Sequence, residues 1–269
     1  MNPGERIVMI TGAASGIGAA CVEEFYAQGA SVALVDRNAG PARETAARLD
    51  PHGERTACFE AEVSASSDVE RAVAASVSRF GGVDVLVHSA GIQRYATAVT
   101  CSEQDWDEVL GINLKGAFLT AKQVIPEMIR RGGGAIVMVG SVQSVTAQRN
   151  SVHYVTSKHG LLGLTRSIAL DFGALNIRAN CVMPGAIDTP MLQWAVSLDA
   201  NPEQVLRAVD GLHIRGTMGR PEEVARVIAF LASDAASFVT GAAIPVDGGL
   251  LTPTGGMMAQ SQITGGSQS

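Results

Sequence analysis

Tyr154 and Lys158 are the first residues of this sequence whose types and spacing suggest chemistry. They lie four positions apart, which places a phenol and an amine on one face of a helix, one turn from each other. A tyrosine with its ordinary pKa of about 10 is a poor base at neutral pH, and a neighbouring lysine ammonium favours the phenolate. The pair could therefore accept or release a proton. Because this spacing is common by chance, it needs support from the rest of the chain.

A glycine-rich loop provides part of that support. Residues 11–18 read TGAASGIG, and they connect an apolar, β-branched run to a stretch with helical spacing. Gly12 lets the chain turn, Gly16 lets the backbone approach a pyrophosphate, and Gly18 lets the helix pack on the strand. The N-terminus of the helix then faces the anion. The loop predicts a dinucleotide-binding site.

Asp36 bears on which dinucleotide is bound. It ends the second strand candidate, 18 residues after Gly18. A carboxylate at this position accepts hydrogen bonds from a ribose diol and repels a 2′-phosphate, so NAD is preferred over NADP. Arg37 keeps NADP open as the alternative, because its guanidinium could receive a phosphate and could also pair with Asp36.

Composition restricts the class of protein. The chain has 269 residues, 46% of them hydrophobic and 17% charged, and its net charge is −6. The acidic balance argues against a nucleic-acid-binding domain, and the chain is too apolar for disorder and too interrupted by charge for a membrane span. Four distant cysteines and five scattered histidines predict buried free thiols and no metal site. Without a basic region leading into a long apolar run, a cytoplasmic protein is expected.

Apolar runs and helical stretches alternate along the chain. Strand candidates rich in β-branched residues are residues 7–10, 31–35, 56–59, 83–87, 135–139, 177–182 and 243–246. Stretches with helical spacing include residues 17–28, 68–79, 103–131, 154–172 and 222–232. Because each strand is followed by a crossover long enough for a helix, a mostly parallel sheet with helices on both faces is predicted. This is a doubly wound α/β fold of Rossmann type.

The domain organisation follows from where this alternation is interrupted. No linker divides the middle of the chain, so a single domain over residues 1–250 is predicted. Residues 188–220 carry two short helical pieces, 191–198 and 202–209, and look like an insertion that could form a lid over the site. Residues 251–269 are rich in Gly, Ser, Thr and Gln, which indicates a flexible tail or an arm onto a partner subunit.

Further polar residues fall at strand ends near the tyrosine and lysine. Ser141 follows a strand candidate 13 residues before Tyr154, residues 89–91 end the strand before that, and Asn113 lies in the intervening helix. With these residues and the glycine loop, the sequence resembles the short-chain dehydrogenase/reductase family over residues 6–249. The resemblance implies a seven-stranded parallel sheet, a homotetramer and a catalytic tetrad of Asn113, Ser141, Tyr154 and Lys158.

The resemblance also implies a role for each member of the tetrad. Tyr154 takes the hydroxyl proton of a secondary alcohol as hydride leaves the adjacent carbon for the nicotinamide, and Ser141 hydrogen-bonds the substrate oxygen. Lys158 favours the phenolate and binds the ribose hydroxyls of the nicotinamide half. Asn113 holds a water that links the lysine to solvent.

The loop and the resemblance together predict the cofactor contacts. They are Gly12, Ser15, Gly16, Ile17, Gly18, Asp36, Arg37, Glu62, Val63, Ser89, Ala90, Gly91, Tyr154, Lys158, Pro184, Gly185, Ile187 and Thr189. Two segments depart from the family pattern. Glu62 stands where the family commonly has Asp, and His88-Ser89 replaces an Asn-Asn pair. We expect His88 to be a buried structural residue and His153, which precedes the tyrosine, to be non-catalytic.

Loops after the strands supply the candidate substrate contacts. They are Gln93, Arg94, Gln143, Arg149, Met191 and Trp194, with Tyr95, Gln148 and Leu192 beside them. Amides hydrogen-bond hydroxyls, and either arginine could hold a carboxylate, which favours a sugar, a sugar acid or a cyclic diol. The apolar members would equally suit a hydrophobic cyclic alcohol or a steroid.

Three functions are carried forward. The first is an NAD-dependent oxidoreductase acting on a secondary alcohol, and the second is an NADPH-dependent reductase of 3-oxoacyl carrier protein or another carbonyl compound. The third is a non-catalytic NAD-binding sensor. In the family, the helices at 103–131 and 154–172 pair with their copies across a two-fold axis. Gly160, Gly163 and Ala169 would allow close approach there, and residues 238–241 would form a second interface.

Overall fold

Seven parallel strands form a single sheet in the computed structural model of the chain, which describes residues 6–252. The strands are β1 (Ile7–Thr11), β2 (Ser31–Asp36), β3 (Thr56–Glu60), β4 (Val85–His88), β5 (Gly134–Val139), β6 (Ile177–Pro184) and β7 (Ala243–Val246). Their spatial order is β3-β2-β1-β4-β5-β6-β7, so the order reverses between β1 and β4. The predicted Rossmann-type fold is confirmed, and its crevice lies at the carboxyl ends of these strands.

Nine α-helices lie within the described part of the chain. They are α1 (Gly16–Ala27), α2 (Ala39–Leu49), α3 (Ser66–Phe80), α4 (Glu103–Leu110), α5 (Gly116–Arg130), α6 (Val152–Phe172), α7 (Pro190–Ser197), α8 (Pro202–Asp210) and α9 (Pro221–Ala232). α1, α2 and α9 pack on one face, and α3, α5 and α6 pack on the other. Alternate strand residues supply the two cores: Val8 and Ile10 enter one, and Met9 enters the other.

Two helical features differ from the expectation. Residues 103–130 are helical throughout, as predicted, but they do not form one regular α-helix, because a π-helical segment, Gly111–Lys115, lies between α4 and α5. Such segments add a residue to a turn and occur often at functional sites, which the apolar period does not reveal. α2 was not singled out from the sequence, since it buries only Ala39, Ala42 and Ala46 and has little apolar periodicity to detect.

The cysteines are free, but the prediction that all are buried is wrong for two of them. Cys21 and Cys181 are buried in the core. Cys58 is partly exposed because it lies on β3, a strand at the edge of the sheet, and Cys101 lies in the loop before α4. In residues 6–252, no cluster of three or more His, Cys, Asp or Glu is arranged to hold a metal ion. No helix in this range has the length and apolar character needed to span a bilayer.

The insertion at residues 188–220 has the two predicted short helices, α7 and α8. Backbone hydrogen bonds join the two ends of the insertion. The N–H of Gly219 donates to the carbonyl of Ala186 (2.9 Å), and the N–H of Asp188 donates to the carbonyl of Gly219 (2.9 Å). Residues 253–269 of the predicted tail lie outside the described residues. The division into a domain at 1–250 and a tail stays a prediction.

Candidate active site

A cleft of about 600 Å³ lies at the carboxyl ends of the strands. All the predicted cofactor contacts line it except Gly18. Of the predicted tetrad, Ser141, Tyr154 and Lys158 line the same cleft, and Asn113 lies behind it. The cleft therefore brings the glycine loop and the tyrosine–lysine pair, which are far apart in sequence, into a single cavity.

The glycine loop fits a dinucleotide because it leaves no room for side chains. Gly12 has φ +68°, and a Cβ there would lie 2.7 Å from the backbone nitrogen of Ala90. A Cβ on Gly18 would lie 2.0 Å from the carbonyl oxygen of Gly12. Gly18 thus packs against the backbone of Gly12, which explains why it does not line the cleft. The loop leads into the N-terminus of α1, where backbone N–H groups favour an anion.

The Asp36 carboxylate lines the cleft at the end of β2 and is held by the backbone. Its two oxygens accept hydrogen bonds from the N–H groups of Ala14 (3.0 Å) and Asn38 (2.8 Å). The guanidinium of Arg37 lies 3.8 Å from the carboxylate of Glu62 rather than against Asp36. The Glu62 carboxylate in turn accepts from the backbone N–H and the hydroxyl of Ser64. The Arg37 guanidinium therefore points toward Glu62, and the Asp36 carboxylate is held at the end of β2.

Tyr154 lies in the first turn of α6, and Ser141 caps a short 3₁₀ turn after β5. The Ser141 hydroxyl accepts from the backbone N–H of Gln143 (3.2 Å). Burial raises the pKa of Tyr154 to about 12, while the hydrogen bond to Ser141 acts to lower it. The phenol can therefore hold a proton and exchange it with an oxygen atom that enters the cleft beside it.

Lys158 lies one turn after Tyr154 on α6, and its ammonium is 5.4 Å from the centre of the phenol ring. The side chain is buried, and Nζ donates a hydrogen bond to the carbonyl of Val139 at the end of β5 (2.8 Å). Burial lowers the pKa of Lys158 to about 8, with Cys181 acting in the opposite sense. A cation held beside the phenol favours its ionised form.

Asn113 braces the site from the π-helical segment. Its Oδ1 accepts from the backbone N–H of Ile92 (2.8 Å), and its Nδ2 donates to the Ile92 carbonyl (3.0 Å) and to the Ser157 hydroxyl (3.1 Å). The side chain is fully buried. It ties the loop after β4 to α6, one residue from Lys158.

Two histidines near the site have structural positions, as expected. His88 is buried, and its Nδ1 is 3.0 Å from the hydroxyl of Thr11 on the neighbouring strand. Burial and the charge of Lys158 lower its pKa to about 3. His153 is also buried, and its Nδ1 accepts the backbone N–H of Tyr154 (2.9 Å).

The predicted substrate residues divide into two groups. Gln93, Gln143 and Met191 line the cleft, and Arg94, Arg149 and Trp194 do not. Arg94 makes hydrogen bonds to both carboxylate oxygens of Glu108 (3.0 and 3.2 Å), and Arg149 is exposed. Trp194 stacks on Tyr95 with ring centres 6.0 Å apart, so it supports a cleft residue from outside. Neither arginine is placed to hold a substrate carboxylate.

Three apolar residues that line the cleft were missed by sequence reasoning. Val209, Leu212 and Leu250 line the cleft from the end of the insertion and from the segment after β7. They belong to no motif, and only the closure of the insertion onto the sheet brings them to the site.

Comparison with known proteins agrees with this geometry. A family model described as enoyl-(acyl carrier protein) reductase matches residues 12–251. The 3-oxoacyl-[acyl-carrier-protein] reductase of Thermotoga maritima is 38% identical over 253 residues, covering 91% of this chain and 98% of that protein. The chain belongs to the short-chain dehydrogenase/reductase family. It is therefore an oxidoreductase, and the family acts on CH–OH groups with an NAD(P) cofactor.

Two further members of the short-chain dehydrogenase/reductase family show the range of substrates among its relatives. The D-threitol dehydrogenase of Mycolicibacterium smegmatis is 38% identical, over 91% of this chain and 92% of that one. The structure of the Thermoplasma acidophilum aldohexose dehydrogenase superimposes with a TM-score of 0.86 at 34% identity, covering 96% of this chain and 98% of the other.

Proposed function

We propose that this chain is an NAD-dependent dehydrogenase that oxidises a secondary alcohol, or reduces the corresponding ketone, with Tyr154 as the general base and acid. The observation that carries the proposal is the convergence of Ser141, Tyr154 and Lys158 on the cleft that also holds the glycine loop and Asp36. A nicotinamide bound in this cleft would supply the acceptor for the hydride of the carbinol carbon.

The chain's own residues transfer the hydroxyl proton of the substrate. Ser141 donates to the substrate oxygen and keeps it beside the phenol, so that Tyr154 takes the hydroxyl proton as the carbonyl forms. Lys158, fixed to the Val139 carbonyl, stabilises the phenolate and would bind the ribose hydroxyls of the cofactor. Asn113 keeps the loop after β4 and α6 together, so the distances among these groups stay short.

A panel of alcohols tests this proposal. NAD or NADP is offered with neutral sugars, sugar acids, cyclic diols and simple secondary alcohols, and absorbance of the reduced nicotinamide is followed. The proposal expects NAD reduction that depends on Tyr154. Binding of NAD without turnover of any alcohol, or of the matching ketones with NADH, would contradict it.

The polar groups of the substrate region favour a neutral molecule with more than one hydroxyl. The Ser151 hydroxyl donates to the Arg149 carbonyl (3.3 Å) and accepts from Gln93 Nε2 (3.2 Å), which leaves Gln93 Oε1 without a partner among the described residues. The Oε1 of Gln143 is also buried and unpaired among these residues. A buried acceptor gains most from a hydroxyl donor, such as one on the carbon next to the reacting carbinol. This supports a neutral diol or sugar over a sugar acid.

Gln93→Leu is expected to raise KM for a vicinal diol about tenfold, because it removes one hydrogen bond to a substrate hydroxyl. Arg94→Ala should leave that KM within about twofold, since Arg94 is paired with Glu108 outside the cleft. Steady-state kinetics with a vicinal diol and with a simple secondary alcohol measure both effects. The substrate proposal is wrong if Gln93→Leu leaves KM for both compounds unchanged.

A second candidate, an NADPH-dependent reductase of 3-oxoacyl carrier protein, is favoured by the name of the 38%-identical Thermotoga maritima relative. Asp36 opposes it, because a carboxylate at the end of β2 repels the 2′-phosphate of NADP. Oxidation of NADPH by a 3-oxoacyl ester, faster than any NAD-dependent reaction, would select this candidate.

We also propose a homotetramer. Phe118 on α5, Leu170 on α6 and Phe238 after α9 are exposed apolar side chains on the surfaces that the family pairs. The expectation that Gly160 and Ala169 permit close approach of α6 to its copy is not supported. A Cβ on Gly160 would lie 2.7 Å from Leu114 of the same chain, and Ala169 is buried in the chain's own core. Gly163 has open space around it.

Sedimentation of the purified protein is expected to give a particle of four chains of 27.8 kDa each. Leu170→Glu, which puts a charge on a side chain that is 85% exposed in the single chain, should shift the particle to smaller species. The matched control is Val99→Glu, because Val99 is 93% exposed but lies outside these helices. A wild-type monomer would contradict the proposal.

We also propose that the protein lies in the reducing environment of the cytoplasm. Cys21 and Cys181 are buried, free thiols, and no disulfide joins cysteines in the described residues. Burial raises the pKa of the Cys181 thiol to about 11, which keeps it protonated and unreactive. These features support a compartment in which thiols stay reduced.

A further inference from the structure

His213 is a buried residue just after α8, near the end of the insertion, and it is only 4% exposed. Its Nδ1 lies 3.0 Å from the carbonyl oxygen of Val209, and its Nε2 lies 3.2 Å from the backbone nitrogen of Ala186. A carbonyl only accepts and a backbone N–H only donates, so Nδ1 carries the proton and Nε2 is the acceptor. Both ring nitrogens are therefore used.

The ring fits between the ends of two strands. A Cβ on Gly185, which follows β6, would lie 2.9 Å from Nε2, and a Cβ on Gly248, which follows β7, would lie 3.4 Å from the ring. The backbone nitrogen of Arg215 also donates to the Gly248 carbonyl (3.3 Å). His213 thus occupies space that side chains at these two positions would otherwise fill. It attaches the insertion to the carboxyl edge of the sheet.

Hydrogen bonds hold the peptides on both sides of Ala186. His213 accepts the Ala186 N–H, and Gly219 donates to the Ala186 carbonyl (2.9 Å). In a planar trans peptide the carbonyl and the following N–H point in opposite directions. Ile187 and Gly219 form an isolated β-bridge. Because the Ala186 carbonyl points toward Gly219, the N–H of Ile187 points away from Gly219. Ile187 itself lines the cleft.

We propose that His213 is a positioning residue for the nicotinamide end of the cofactor. His213 holds the peptide before Ala186, and Gly219 holds the peptide after it. Together they keep this segment in place, so that the Ile187 N–H can donate to the carboxamide oxygen. This inference rests on the proposed NAD-dependent function, and it assigns to the insertion a part in cofactor binding as well as in enclosing the substrate. His213 touches neither cofactor nor substrate.

Two ligands separate this role from a general structural one. NADH carries the carboxamide, and ADP-ribose has the same adenosine, pyrophosphate and second ribose but no nicotinamide. His213→Asn keeps a polar group near the Nδ1 position and has no acceptor that reaches Ala186, so the Kd of NADH is expected to rise about tenfold. The Kd of ADP-ribose should stay within about twofold. His213→Gln places an amide oxygen near the Nε2 position and should restore NADH binding.

Isothermal titration calorimetry on the full-length protein measures both ligands, and fluorescence of NADH provides a second readout. The inference is overturned if His213→Asn weakens both ligands equally, or if NADH binding is unchanged. If His213→Asn does not fold, His213→Leu provides the same comparison, with the same ratio of the two Kd values expected. A wild-type protein that binds neither ligand would contradict the proposed function itself. If the wild-type protein binds both ligands and the variants leave the ratio of the two Kd values unchanged, only the role of His213 is contradicted.

Discussion

Replacement of Tyr154 by phenylalanine is expected to lower kcat/KM for alcohol oxidation about 10³-fold, while the Kd of NAD changes by no more than about twofold. The substitution removes a single oxygen and keeps the ring, which lies 5.4 Å from the Lys158 ammonium. Ser141 would still contact the substrate oxygen, and the glycine loop and Asp36 would still bind the dinucleotide. The loss therefore falls on proton transfer and leaves binding almost unaffected.

Absorbance of the reduced nicotinamide gives turnover, and calorimetric titration gives NAD binding. Tyr95→Phe is the matched control, because Tyr95 lines the same cleft and stacks on Trp194 but is not a member of the tetrad. It should reduce turnover less than tenfold. Turnover by Tyr154→Phe at a rate near the wild-type rate would exclude Tyr154 as the base.

The pH dependence provides an independent check of the same assignment. Burial raises the pKa of Tyr154 to about 12, and the Ser141 hydrogen bond acts to lower it. Alcohol oxidation needs the phenolate, so its rate in the wild-type protein should increase as pH rises toward the phenol pKa, and ketone reduction should decrease. Residual activity of Tyr154→Phe should lack this increase.

Removal of the Asp36 carboxylate is expected to shift the ratio of kcat/KM values for NAD and NADP about 10²-fold toward NADP. Charge-assisted hydrogen bonds to ribose hydroxyls contribute about 1.5–3 kcal/mol, and Asp36→Ala removes them together with the repulsion of a 2′-phosphate. Arg37 would then be the cation nearest to that phosphate. Kinetics with both cofactors at a fixed alcohol concentration measure the ratio.

Two further variants test the cause of that shift. Asp36→Asn keeps the shape of the side chain and one of its two acceptors, for either Ala14 or Asn38, but lacks the charge. It should therefore move the ratio in the same direction by a smaller amount. Asp36→Ala combined with Arg37→Ala should lose part of the gain with NADP, because Arg37 is the phosphate partner. An unchanged ratio in Asp36→Ala would show that the end of β2 does not select the cofactor.

The architecture could be predicted from the sequence alone, because it depends on local features of the chain. Runs such as residues 243–246 are short and apolar, and the crossovers between such runs are long enough for helices, so parallel pairing follows from chain geometry. The motif residues that line the cleft were also predictable. Parallel strands deliver their carboxyl ends to one edge, so the glycine loop, Ser141 and the helix with Tyr154 had to meet there.

The π-helical segment at Gly111–Lys115 was not predictable, because its apolar residues follow the same pattern as the helices on either side. Its consequence is specific: Asn113 reaches both Ile92 and Ser157, which fixes the loop after β4 against α6. A single continuous helix gives no reason to expect this brace.

The sequence by itself determined which residues could carry chemistry: the glycine loop, Asp36, and the tyrosine–lysine pair whose spacing fixes its own geometry within one helix. The tertiary structure alone decided which loop residues reach the cleft. It paired Arg94 with Glu108, turned Arg37 toward Glu62, and brought His213 against Ala186. These contacts join residues that are far apart in sequence or lie in irregular segments. No periodicity specifies them, because they depend on how the insertion and the loops close over the sheet.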